Sequence, residues 1–180
     1  MNRLYYFLVA SLPTLDFGVT PPISSNDLLD KCHRELTKDE LDILTPILTQ
    51  DEADIVVDHD LFKKCQAFNH HLRNEIAYFR SQRAGKDPAL YLRGERLADP
   101  FFVEVINQAA KSINPLEAEK ILDRQRWQFL DDVGRFEYFS FNFLVTYALK
   151  LIILERYEAI GSPQGRAVFE QYKKIEITIG

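Results

Sequence analysis

Phe136-Glu137-Tyr138-Phe139-Ser140-Phe141-Asn142-Phe143-Leu144-Val145-Thr146-Tyr147-Ala148-Leu149-Lys150-Leu151-Ile152-Ile153-Leu154 is the stretch that decides the fold. Read on to Ile160, it carries apolar side chains at almost every helical angle, and a helix without a polar face is one that other helices surround. It predicts a buried central helix near residues 136–160, with Phe143, Leu144, Leu151 and Leu154 in the core. The longest apolar run within it, Phe143 to Leu154, is too short to span a bilayer and is broken by Thr146, Tyr147 and Lys150. Gly161 suits a left-handed cap, and Ser162-Pro163 would open a last helix reaching Lys174.

Working outward, helix signals dominate. Ser24-Ser25-Asn26-Asp27 caps a helix expected to reach Leu36. Thr37-Lys38-Asp39-Glu40 is a capping box for a short helix carrying Leu41, Leu44, Ile47 and Leu48. From Asp58 to Arg83, Leu61, Cys65, Phe68, Leu72, Ile76 and Phe79 recur every three or four positions, which is one face of a long helix. Residues 84–100 read as a loop with a turn at Leu90-Tyr91-Leu92. Asp99-Pro100 and Asn114-Pro115 each pair an N-cap with a proline at the first helical position. The first of these helices should reach Ser112 and the second Gly134. Ile175 to Ile179 alternates like a strand but has no evident partner strand, and Ile55-Val56-Val57 is the other β-like run. The expectation is one all-α domain over 1–180, an irregular multi-helix bundle.

Composition narrows the function classes. The chain has 180 residues, enough for a core without staples. A net charge of −5 makes nucleic acid an unsuitable main partner, since phosphate binding needs concentrated basic charge. Cys32 and Cys65 show no metal-ligand spacing and read as reduced helix residues. Arg3 followed by Leu4 to Ala10 imitates a secretory signal, but the apolar stretch is at the lower limit and one positive side chain precedes it. The expected location is cytoplasmic.

Catalytic signatures are lacking. His70 and His71 project about 100° apart on a helix and cannot chelate one ion together. His71 and Glu75 are four apart and read as a helix-surface pair, while Asp58-His59-Asp60 reads as a helix start. No histidine has a glutamate three residues before it, which excludes a carboxylate-bridged di-iron bundle. There is no phosphate-binding glycine loop and no nucleophile elbow. The sequence predicts a non-enzyme with neither metal nor cofactor. Arg93-Gly94-Glu95-Arg96 could touch a phosphate, but the plainer reading is a solvated loop.

Charge is segregated. Glu35 to Asp60 holds nine acidic residues and one basic residue, whereas Lys63 to Arg96 holds eight basic residues and three acidic ones. Two readings stand: a surface that steers a partner, or two blocks that face each other. Under the first, Arg80, Arg83, Arg93 and Arg96 are candidate partner-binding residues. Trp127 is another candidate. It forms a second apolar stripe with Leu130, opposite Ala118, Ile121, Leu122 and Phe129, so its helix is either sandwiched or offers one face to a partner.

Tyr5-Tyr6-Phe7-Leu8-Val9-Ala10-Ser11-Leu12-Pro13, Pro21-Pro22-Ile23-Ser24, Asn114-Pro115-Leu116-Glu117 and Tyr147-Ala148-Leu149-Lys150-Leu151 together resemble a small bacterial family encoded among V/A-type ATP synthase genes. That family is distantly similar to the V/A-type ATPase stalk component lettered C, or d in eukaryotes. This component is a helical socket between the central shaft and the membrane ring. Asn114 to Glu119, leading through Leu122 to Trp127, is the segment most like its helical repeats, and the chain has room for only part of that array. The resemblance implies a non-catalytic subunit or accessory factor at the central stalk, with other ATP synthase subunits of the shaft or ring as partners. It would be cytoplasmic or peripheral at the inner membrane. The alternative is a free-standing helical adaptor of an unrelated pathway.

Overall fold

The computed structural model describes residues 4–50 and 55–162. These form seven α-helices and one short 3-10 turn, with no strand among the described residues. The protein is all-α. Ile55-Val56-Val57 is not a strand, and the expected helix from Pro163 and the strand-like tail lie outside the described residues. The chain divides into two compact units, one made of residues up to Val56 with those from Glu137 onward, the other of Val57–Phe136.

The first unit contains α1 (Tyr6–Ser11), α2 (Ser25–Cys32), α3 (Lys38–Thr49) and α7 (Phe141–Gly161). Ser24 and Asp27 form the capping box of α2, and Thr37 and Glu40 that of α3. The α2 helix stops at Cys32 rather than Leu36 because Thr37 must be extended to cap α3, at φ −73° and ψ 163°. A turn closed by the Leu36 N–H on the Cys32 carbonyl, at 2.9 Å, makes the change of direction. Glu155 of α7 reaches the start of α2, accepting from the Ser25 N–H and hydroxyl at 2.6 Å each.

The central helix α7 begins at Phe141, five residues later than expected. Ser140 is its N-cap, accepting from the Phe143 N–H at 3.3 Å. Phe139 before it has φ 60°, a left-handed conformation that a helix cannot include. Phe136 and Tyr138 are exposed. Leu144, Leu151 and Leu154 are buried in the core of this unit as expected, together with Val145, Tyr147 and Ala148. Phe143 is only half-buried, which corrects its place in the predicted core. It shares a helix edge with Tyr147 and Lys150, four and seven residues on, and along that edge Tyr147 is buried while Phe143 and Lys150 are half-buried.

The second unit contains α4 (Asp60–Arg83), the 3-10 turn Pro88–Leu90, α5 (Pro100–Ala110) and α6 (Pro115–Gly134). His59 caps α4 through Nδ1, which accepts from the Phe62 N–H at 3.4 Å, so Asp58-His59-Asp60 is a helix start. Asp99 accepts from the Phe101 N–H at 2.9 Å and Asn114 from the Glu117 N–H at 2.9 Å, as the two cap-proline pairs imply. The helices α5 and α6 form an antiparallel hairpin against α4. Leu72, Phe102, Val105, Ile106, Ala109 and Leu122 are its buried core, and Phe68, Ile76 and Phe79 of the predicted α4 stripe pack against it.

Candidate functional site

The C-terminal half of α4 organises the polar chemistry of the second unit. It begins with two buried polar residues that the apolar stripe did not single out, Asn74 and Glu75, 4% and 3% exposed. Asn74 clamps the backbone of Arg93: its Nδ2 donates to the Arg93 carbonyl at 2.9 Å, and its Oδ1 accepts from the Arg93 N–H at 3.0 Å. Glu75 accepts twice from Arg96, from Nε at 2.7 Å and from Nη2 at 2.8 Å. The Arg96 guanidinium also lies over the Tyr78 ring, 3.6 Å from its centroid. Its hydrogen bonds to the Glu75 carboxylate raise the Arg96 pKa above its ordinary value.

Residues 93–96 are therefore a strap held on α4. Arg96, a partner-binding candidate in the sequence, is engaged by Glu75 and is not a free cation. The expected His71–Glu75 pair is not formed; His71 instead stands edge-on to the Phe102 ring at 6.3 Å. Sequence spacing could not find the real partner, because Arg96 lies 21 residues from Glu75.

The last turn of α4 carries Arg80 and Arg83, where positive charge complements the helix dipole. Both are exposed, and among the described residues neither meets a carboxylate. Arg83 lies 5.8 Å from the Phe79 ring centroid. The two arginines border a cleft of about 440 Å³ between α4 and the α5–α6 hairpin. Its apolar floor is Ile76, Phe79, Ile106, Ala109 and Leu122, and Ala110, Ala118 and Glu119 also line it. Arg80 also borders a second hollow of about 400 Å³ with Ser81, Lys86 and Tyr91.

Arg93 is exposed on the strap and lines neither hollow. Trp127 is 9% exposed, so it is not presented as a surface anchor, and its helix is packed on both stripes: Leu122 on one, Trp127 and Leu130 on the other. Of the basic block, Lys63 pairs with Asp58 at the surface, and Arg96 pairs with Glu75 within the block itself. No group of three or more metal-ligating side chains occurs among the described residues.

Cys32 and Cys65 are buried and unbridged. Burial pushes the Cys32 thiol up to about 12. No helix among the described residues is long and apolar enough to cross a membrane.

Fold and site together define an all-helical protein that carries an apolar cleft with an arginine rim. Residues 56–176 match the family described as "Protein of unknown function (DUF2764)", and the chain belongs to that family. The matched region takes in the whole second unit and α7. No curated protein and no solved structure matches the chain.

Proposed function

We propose that the protein is a non-catalytic helical subunit or accessory factor of a bacterial V/A-type ATP synthase, docking at the central stalk from the cytoplasmic side. The observation that carries the reading is the end of α4, where two arginines that meet no carboxylate among the described residues border an apolar cleft. A contact that must resist torque needs apolar anchors as well as complementary charge, and this surface offers both. The sequence resemblance supplies the partner class. Its Asn114–Glu119 segment opens α6, which forms one wall of the cleft.

The test is a pull-down from native membranes with the full chain. Shaft or ring subunits of the ATP synthase should co-purify. Their retention should fall in an Arg80→Glu/Arg83→Glu variant, most clearly at low salt, where exposed charges are least screened. Recovery of an unrelated protein through the same surface would instead favour the free-standing adaptor.

A further inference from the structure

We propose that the cleft between α4 and the α5–α6 hairpin receives an acidic amphipathic helix of a protein partner, its apolar face on the floor and its carboxylates on Arg80 and Arg83. The proposal deepens the docking reading above. It rests on that reading for the partner's identity, and on the cleft alone for the chemistry accepted.

The floor of Ile76, Phe79, Ile106, Ala109 and Leu122 is apolar, and the cleft's volume of about 440 Å³ can admit several side chains. Half-buried Ala118 and exposed Ala110 also line the cleft, so bulky side chains of an incoming helix meet small ones there. That is the helix-in-groove mode, in which apolar residues at successive turns act as anchors. Charge then selects the occupant. Arg80 and Arg83 are three apart on one α4 face, which matches carboxylates spaced three or four apart on a second helix. Glu119 faces the cleft from α6, so the same occupant should be neutral or basic on that side. An oligonucleotide would meet that carboxylate and only two arginines, too little positive charge for a phosphate backbone.

The experiment titrates the full-length protein into a fluorescein-labelled peptide of roughly 16 residues, able to form a few helical turns when bound. The peptide carries Leu on one helical face and Glu along one edge. Two further peptides serve as controls, one with the same residues shuffled off their faces and one with Lys replacing Glu. Saturable binding of the Glu peptide is expected, weakened about tenfold by Arg80→Glu/Arg83→Glu, a change typical of lost complementary charge. The Lys peptide should prefer that charge-reversed variant. Ala110→Trp, which fills the cleft from an exposed position, should abolish binding while helical circular dichroism is unchanged. Equal binding of the shuffled peptide, no binding at all, or indifference to both variants overturns the proposal. A pull-down separates it from the docking reading. If ATP synthase subunits still co-purify with the Ala110→Trp protein, the reading survives and the cleft proposal falls. If the peptide binds as expected but no synthase subunit is ever recovered, the cleft proposal stands and the synthase reading falls.

Discussion

Arg96 lies bidentate on Glu75, Nε to Oε1 at 2.7 Å and Nη2 to Oε2 at 2.8 Å, and so ties the strap after the 3-10 turn to the middle of α4. Glu75 is 3% exposed and Arg96 23% at the side chain, so the pair is largely withdrawn from water. Arg96→Ala leaves a buried carboxylate without its charge partner and should cost about 3 kcal/mol in urea unfolding. Arg96→Lys should rescue little, because an ammonium can neither bond bidentately nor stack on Tyr78 as the guanidinium does. A midpoint for Arg96→Ala close to that of the unmodified protein would mean that the strap is not held by this pair.

Phe139 supplies a second test, this time of the backbone. Its φ of 60° is one that L side chains adopt at a cost of about 1–2 kcal/mol. The conformation is held by the Tyr5 N–H on its carbonyl at 2.6 Å and by the Tyr6 ring 4.8 Å away. Both Phe139→Ala and Phe139→Gly lose the ring contact, but only glycine escapes the left-handed strain. The glycine variant should therefore be the more stable by about 1 kcal/mol. The reverse order would show that Phe139 does not hold that conformation.

The central helix predicts a ranking. Leu144 is fully buried, so Leu144→Ala should cost about 3 kcal/mol through lost transfer energy and the cavity left behind. Phe143 is larger but half-buried, and Phe143→Ala should cost less, about 1.5 kcal/mol. Denaturant midpoints of the two single variants measure the order directly.

Alkaline pH should destabilise the first unit. The Cys32 thiol is raised from 9.0 to about 12 and the Tyr147 hydroxyl from 10.0 to about 12, in both cases by desolvation. Each group holds its proton more tightly folded than unfolded. Its contribution is complete below the unfolded value and is lost as pH rises through the window from 9 to about 12. Cys32→Ala should flatten the fall in melting temperature between pH 9 and 10, where the unfolded thiol ionises first. An unchanged slope in that interval would mean that the Cys32 thiol is not the group responsible.

Reversing charge at the exposed arginines should leave folding almost untouched. Arg83 and Arg93 are exposed, and neither meets a carboxylate among the described residues, so Arg83→Glu/Arg93→Glu should cost only about 1 kcal/mol, from the unfavourable charge that a glutamate at position 83 would bring to the end of α4. A melting temperature lowered by many degrees would reveal an internal electrostatic role.

Most helix starts were legible because a cap is a local device. Thr37 with Glu40, Asp99 before Pro100 and Asn114 before Pro115 each need only residues a turn apart, and each forms as read. The all-helical class followed from the same periodicity, and so did the apolar stripe of α4. What the sequence could not determine depends on packing between distant segments. The start of α7 waits on the left-handed turn at Phe139, whose carbonyl takes the Tyr5 N–H from the far end of the sequence. How far Phe143 is buried depends on how much of its helix edge the neighbouring helices cover. Glu75 had a plausible neighbour four residues away in His71, yet the carboxylate is buried and takes a guanidinium from 21 residues further on. Spacing along one helix shows which side chains can meet on its surface. Only the tertiary structure shows which of them lose water, and a carboxylate that loses water needs the strongest partner within reach.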